Sequence, residues 1–237
     1  MSSTKVLITA PLKQSRHIFA EYQEGLDRLV IPEGVTVDRF YVVNDCPEII
    51  PDIRGEYIVV DTGDFYNNNG VGHYWTGDNL TKMHTLRNAT IKRALDGGYD
   101  YWWSIDTDIV VHPMTLQALL DADKDIVSEI FWTQSENGGW WCNAWMHDQS
   151  AGMLPEWHTP GLYRCGMTGA LTLAKRRVLE AGVDYTAIPC IRKALWGEDR
   201  HFSIRAACLG FEMWVDTHYP ADHLYTEAVY RDYMRKK

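Results

Sequence analysis

The stretch Tyr101-Trp102-Trp103-Ser104-Ile105-Asp106-Thr107-Asp108 joins an aromatic, apolar run to two aspartates, and a second apolar run, Ile109-Val110-Val111, follows. A short run of large apolar residues bounded by polar ones reads as a buried strand. Carboxylates at the end of such a strand are costly unless something pairs with them. If the chain stays extended there, alternate side chains share a face, which would point Asp106 and Asp108 the same way. Two carboxylates facing a cleft make a hard oxygen site for Mg2+ or Mn2+, ions commonly bound through one or two carboxylates plus substrate phosphates. A polar turn at a strand end is the plainer reading of an Asp-x-Asp by itself, so the surrounding chain has to decide.

Upstream, Val6-Leu7-Ile8-Thr9-Ala10-Pro11 reads as a first buried strand closed by proline. Ile18, Phe19, Tyr22, Leu26, Leu29 and Val30 recur at helical spacing. Val35 to Val43 and Tyr57 to Val60 read as further strands, the former ending at Asn44-Asp45-Cys46-Pro47. A polar loop from Thr62 to Asn79, with Asn67-Asn68-Asn69-Gly70 and Gly72, has the composition of a lid or a surface loop. Thr81 to Leu95 predicts a helix stopped by Asp96-Gly97-Gly98. Downstream, Ile126 to Trp132 predicts a strand, Thr133 to Pro160 a long Trp-rich irregular stretch, and Met167 to Leu173 another strand. Helices over 175–181 and 199–209 and a last strand from Phe211 to Val215 complete the pattern.

Strands alternating with helices predict an α/β fold with a mixed, mainly parallel sheet flanked by helices. In open sheets of this class, ligands bind beyond the carboxyl ends of the strands. Thr9-Ala10-Pro11, Asn44-Asp45 and Asp106-Thr107-Asp108 all fall on that edge.

The 237 residues suit one compact domain, and 46% hydrophobic content allows a sizeable core. A net charge of −9 argues against a nucleic-acid-binding surface, which needs Lys and Arg to neutralise phosphates. It leaves room for one nucleotide held through a metal. Ten Trp and thirteen Tyr are many, and their amphipathic rings suit sugar faces as well as cores. No stretch approaches the roughly 20 apolar residues of a transmembrane helix, and the start, Met1-Ser2-Ser3-Thr4-Lys5, does not read as a secretory signal. Five widely spaced cysteines contain no Cys-x-x-Cys pair, so packed, reduced thiols and a cytoplasmic protein are expected.

Several motifs in order resemble nucleotide-sugar glycosyltransferases of the GT-A fold, closest to the family-2-like inverting group. Tyr41-Val42-Val43-Asn44-Asp45 resembles that family's second strand; its usual Asp-Asp-Gly-Ser is here Asn44-Asp45-Cys46-Pro47. Leu86-Arg87-Asn88-Ala89, then Trp102 to Asp108, then Pro113 resemble its Arg-Asn helix, Asp-x-Asp strand end and trailing proline. Trp196-Gly197-Glu198-Asp199 resembles the segment that carries the catalytic base, and Asp216 to His223 has the spacing of the C-terminal aspartate and metal-binding histidine. Together these span roughly residues 5–224.

The resemblance implies a single GT-A domain, with a nucleotide-sugar-binding half over 1–113 and an acceptor-binding, catalytic half over 114–237, the latter carrying the Trp-rich acceptor-side loop. It implies Asp106, Asp108 and His223 as ligands of Mn2+ or Mg2+; His218 is a competitor that fits the spacing less well. Thr9, Ala10, Pro11, Asp45, Arg87, Asp106 and Thr107 would contact the donor, a nucleotide-diphosphate sugar with UDP the expected nucleotide. Asp199 would be the general base and Glu198 its catalytic neighbour, although an Asp before a helix is also a favoured N-cap. Trp196, Gly169, Trp132 and Trp157 would meet the acceptor, a glycan, peptide or glycolipid. Two rivals stand beside this reading. A sugar-phosphate nucleotidylyltransferase would carry a Gly-rich loop after the first strand, where Ala10-Pro11-Leu12-Lys13-Gln14 stands instead. A non-catalytic carbohydrate-binding protein would leave Asp106, Asp108, Glu198 and Asp199 without a purpose.

Overall fold

In the computed structural model, which describes residues 3–62, 77–134, 139–146, 154–191 and 197–237, the apolar run around Ile8 is an inner strand of the sheet. Strands β1 (Thr4–Leu12), β2 (Val35–Val43), β3 (Glu56–Val59) and β4 (Tyr101–Ile105) run parallel in the spatial order β3-β2-β1-β4. Helices α1 (Arg16–Asp27) and α2 (Gly77–Asp96) lie between them in sequence. Contrary to expectation, Pro11 does not end β1. Pairing with β4 stops at Thr9–Ser104, whereas pairing with β2 continues to Leu12–Val43. The Leu12 carbonyl accepts from Asn44 N–H beside β2, so alternation turns Pro11 toward the side where no ladder remains. Its missing N–H therefore costs no sheet hydrogen bond.

The second half contributes β5 (Ile109–Val110), α3 (Thr115–Asp121), β6 (Ile126–Gln134), β7 (Trp140–Cys142), β8 (Ala144–Trp145), β9 (Leu162–Cys165), β10 (Met167–Thr168), β11 (Leu171–Lys175), α4 (Arg176–Glu180), α5 (Glu198–Cys208), β12 (Met213–His223) and α6 (Glu227–Lys236). The sheet continues from β4 in the order β11-β6-β12-β5. Strand β11 is antiparallel to both β4 and β6, and β6 and β12 are parallel. The result is the mixed, mainly parallel sheet flanked by helices that the alternation predicts.

Period-two alternation divides the core between two faces. Leu7, Val42 and Trp102 point to the side covered by Met83 and Leu86 of α2 and Phe202 of α5. Ile8, Val43 and Trp103 point to the opposite side, covered by Phe19 and Tyr22 of α1 and Leu116 of α3.

Three departures from the sequence reading matter for the site. The strand expected over 167–173 is broken at Gly169-Ala170, so that β10 pairs with β8 in a separate ribbon and β11 joins the main sheet. The last strand runs to His223, through a register shift between Asp216 and Ala221. The Trp-rich stretch contains β7, which pairs antiparallel with β6. Helices α3 and α6 were not expected: seven residues are too few to display a period, and α6 buries none of its residues. Among the described residues no helix is long and apolar enough to cross a membrane.

Candidate active site

Trp102 sets the inner wall of the site. Its indole N–H donates to Thr90 Oγ1 on α2 at 3.0 Å, and its ring stacks on Phe202 of α5, with centroids 5.9 Å apart. One aromatic side chain of β4 thus brings together the helix bearing Arg87 and the helix beginning at Glu198. Arg87 is 2% exposed. Its Nε donates to Glu198 Oε1 at 3.2 Å, one terminal nitrogen to Ser104 Oγ at 3.1 Å and the other to Asp106 Oδ2 at 3.1 Å. Burial of a cation is tolerated because two carboxylates and a hydroxyl surround it. Asn88 continues the link: its Oδ1 accepts from Tyr185 N–H at 2.8 Å, fixing the segment that leads toward α5. Arg87, expected to contact a donor, is instead enclosed and committed to the protein.

Asp106-Thr107-Asp108 is not extended. Strand β4 stops at Ile105, and Ile109 N–H closes a turn on the Asp106 carbonyl at 3.0 Å. The two carboxylates therefore diverge. Asp106 turns inward to Arg87, whereas Asp108 turns toward His223, whose Nε2 lies 3.4 Å from Asp108 Oδ2. Pairing of His223 with Ile109, and a 2.7 Å bond from Leu224 N–H to the Asp108 carbonyl, place these two residues side by side. His218 points elsewhere, with its Nδ1 3.1 Å from the Asp216 carboxylate.

The expected trio of Asp106, Asp108 and His223 does not assemble: among the described residues no cluster of three His, Cys, Asp or Glu could hold a metal ion. Asp108 Oδ2 and His223 Nε2 have the spacing of neighbouring ligands on one cation. An oxygen and an imidazole nitrogen suit Mn2+ or Mg2+ that completes its shell with water and phosphate oxygens.

A cleft at the carboxyl ends of the parallel strands is lined by Pro11, Lys13, Asn44, Leu86, Asp106 and Asp108. Thr107 also lines it, whereas Thr9 and Ala10 are buried within the sheet. Asp45 has a left-handed backbone (φ 50°) and holds Lys13 Nζ at 2.5 Å beside the cleft. Asn44 lines the cleft as its place on the strand-end edge suggested, whereas Lys13 and Leu86 went unread as lining residues; their one signal was their place just after β1 and one residue before Arg87.

Beyond Asp108 and His223 lies a cavity of about 530 Å3, lined by Thr133, Trp141, Trp145, Gly169 and Asp199 among others. Gly169 is the floor beneath Asp199: a Cβ built there would sit 2.6 Å from Asp199 Oδ2. Ala170 carries a positive φ of 62°, with Leu171 N–H closing a three-residue turn on the Gly169 carbonyl at 2.8 Å. A non-glycine residue there is strained, a feature common at functional sites. Asp106 N–H holds the Ala170 carbonyl at 2.9 Å. Buried Asn143 ties the same segment to β6, donating to the Gly169 carbonyl at 3.2 Å and accepting from Phe131 N–H at 2.9 Å.

Asp199 is not the helix cap. Gly197 is, with φ 120°, and Asp199 stands in the first turn of α5. The helix N-terminus favours a charged carboxylate. Burial, and then the neighbouring Glu198 charge, outweigh it and hold the Asp199 pKa well above the usual carboxylate range, with Arg87 opposing them in part. A carboxylate of raised proton affinity facing a cavity has the property of a general base.

Of the tryptophans, Trp157 is 1% exposed and belongs to the core, which removes it from the acceptor side. Trp132 stacks on His158 with centroids 4.4 Å apart. Trp140 and Trp141 are 52% and 56% exposed, so they offer the accessible rings at the cavity. Trp196 and most of the Asn/Gly-rich loop fall outside the described residues.

Comparison with known proteins bears on the fold. No protein-family model matches this sequence, and no curated protein does. Among solved structures, the chain is similar to GalNAc-T7 solved with UDP, GalNAc and Mn2+, at TM-score 0.60 and 13% identity over 94% of this chain and 44% of that one. It is similar to S. aureus TarS 1–349 at TM-score 0.53 and 15% identity over 98% of this chain and 64% of that one. The fold is that of the GT-A glycosyltransferases. The complex of TarS 1–349 with UDP-GlcNAc superposes at the same TM-score of 0.53, with 13% identity over 92% and 58%. This GT-A-like chain therefore spans less than half the length of the GalNAc-T7 chain and under two thirds of TarS 1–349.

Proposed function

We propose that this chain is a metal-dependent glycosyltransferase that moves a sugar from a nucleotide-diphosphate donor, UDP-sugar first among them, to an acceptor hydroxyl with inversion. The observation that supports it most is the placement of Asp199. Its proton-avid carboxylate faces a cavity separated by Asp108 and His223 from a cleft at the strand ends. Every residue lining the cleft comes from 1–113 and every residue lining the cavity from 114–237, which suits a donor half and an acceptor half.

In this reading Asp108 and His223 hold Mn2+ or Mg2+, which when bound neutralises negative charge on the departing nucleotide diphosphate. Asp199 takes the proton of the acceptor hydroxyl as that oxygen bonds to the anomeric carbon and the bond from that carbon to the diphosphate oxygen breaks. Arg87 keeps Glu198, and with it the first turn of α5, in place. Trp140 and Trp141 offer stacking faces to a glycan or glycolipid acceptor. Five free cysteines suit a reducing compartment, in line with a cytoplasmic site of action.

The test is a thermal-shift panel of UDP, GDP, CMP and dTDP, with and without Mn2+. A ligand at about 100 times its Kd stabilises by roughly 2.7 kcal/mol. One nucleotide is expected to stabilise the protein only with Mn2+, and Asp108→Asn to lose that gain while keeping its own melting temperature. No shift with any nucleotide would remove the donor site from the proposal.

A further inference from the structure

His223 has two ring nitrogens, and only one faces Asp108. Its Nε2 is 3.4 Å from Asp108 Oδ2, and its Nδ1 is 2.7 Å from Thr133 Oγ1 on β6. The ring plane is held from other directions, by Phe131 with centroids 4.8 Å away and Tyr225 at 5.1 Å. These apolar contacts fix the plane and leave open a half-turn of the ring, which exchanges nitrogens for carbons. The Thr133 hydroxyl is the polar contact of Nδ1, and it favours the orientation that presents Nε2 to Asp108.

From this geometry, and resting on the metal-dependent reading above, we infer that Thr133 is the positioning residue of the cation site. It accepts the Nδ1 proton of His223 and so leaves the Nε2 lone pair for the metal. A histidine ligand commonly donates its other N–H to an oxygen that sets tautomer and orientation, and losing that oxygen lowers metal affinity about 10- to 100-fold. Thr133 also pairs across the ribbon with Trp141, whose ring lines the cavity. One residue thus joins the acceptor-side wall to the histidine beside the donor cleft.

Three full-length proteins test this: the wild type, Thr133→Val, which keeps shape and β-branching but removes the hydroxyl, and Thr133→Ser, which restores it. Free Mn2+ is read by electron paramagnetic resonance during titration in the presence of the nucleotide that stabilises the wild type, UDP being tried first. Thr133→Val is expected to bind Mn2+ about 10- to 100-fold more weakly, with an unchanged melting temperature, and Thr133→Ser to bind close to the wild type. With Mg2+ and nucleotide bound, 15N shifts should show the wild-type His223 ring protonated at Nδ1. Equal Mn2+ affinity in Thr133→Val, or a ring protonated at Nε2 in the Mg2+ complex, overturns the role of Thr133. If Thr133→Val fails to fold, Thr133→Ala takes its place under the same criteria. A wild type that takes up no Mn2+ with any of the nucleotides overturns the metal-dependent reading itself, an outcome distinct from the other two.

Discussion

Asp106 and Asp108 stand two residues apart in one turn and line the same cleft, yet their carboxylates meet different partners. Asp106 meets a buried guanidinium that is itself enclosed by Glu198 and Ser104. Asp108 faces the boundary between cleft and cavity, with an imidazole as its neighbour. The Asp106 carboxylate is paired with a cation of the protein itself. Asp108 has a partner that can share a cation. A single turn after β4 produces this division, because leaving the extended conformation ends the alternation that would have aimed both side chains together. Glu129 on β6 is a third case. It is buried beside Asp216, and burial followed by the Asp216 charge pushes its pKa from 4.5 up to about 9, so a proton neutralises it instead.

The inner network gives the largest expected effect. Arg87→Met leaves Glu198 and Asp106 without their shared cation, and breaking a buried pair by removing one partner costs about 3–5 kcal/mol. Urea unfolding at neutral pH measures it. A loss below about 1 kcal/mol, the range of exposed pairs, would mean that the inner carboxylates are solvated and the contrast with Asp108 is false. Combining Arg87→Met with Glu198→Gln should recover part of the loss, since one orphaned charge is then gone.

Gly169→Ala probes the catalytic side of the comparison. The new methyl would meet Asp199 Oδ2 at 2.6 Å, so the carboxylate has to rotate away. A displacement of this size costs on the order of 100-fold in a positioned reaction. Folding should be affected far less, because a side-chain end rather than backbone gives way. Transfer rate and melting temperature measured together check this. Wild-type activity in the variant would remove Asp199 from the base role.

Taken per pH unit, the smallest effect is a pH slope. Between about 4.5 and 9 folded Glu129 keeps a proton that the unfolded chain has released. Its contribution is therefore complete below about 4.5 and is lost as pH rises toward 9. Relative to the wild type, Glu129→Gln should gain up to about 1.4 kcal/mol per pH unit across that window. Parallel stability curves for the two proteins would show that Glu129 is ionised in the fold.

Much of the fold was legible in the chain. Val35 to Val43 matches its strand to the residue and the apolar run Tyr101 to Ile105 is a strand, because long apolar runs bounded by Asn-Asp-Cys-Pro or Asp-Thr-Asp leave little choice of place. Asp199, Glu198 and His223 were also marked, through motif order rather than through periodicity. Less was legible at Gly169-Ala170, where a pattern continuous from Met167 to Leu173 conceals a break that only the fit to Asp199 and Asp106 requires. Trp157 was misread because burial depends on what covers a ring, which local composition does not report.

The chain by itself determined the alternation of strands and helices, the edge at which polar strand ends gather, and the residue types available for acid–base and metal chemistry. Those properties follow from local spacing and side-chain chemistry. Tertiary structure alone decided the division of labour: Arg87 in the core rather than on a donor, Asp106 on Arg87 and Asp108 beside His223, and Thr133 on the far nitrogen of the ring. Each of these depends on contacts between residues 17 to 115 positions apart in sequence, whose distances are set by packing of the sheet and its helices.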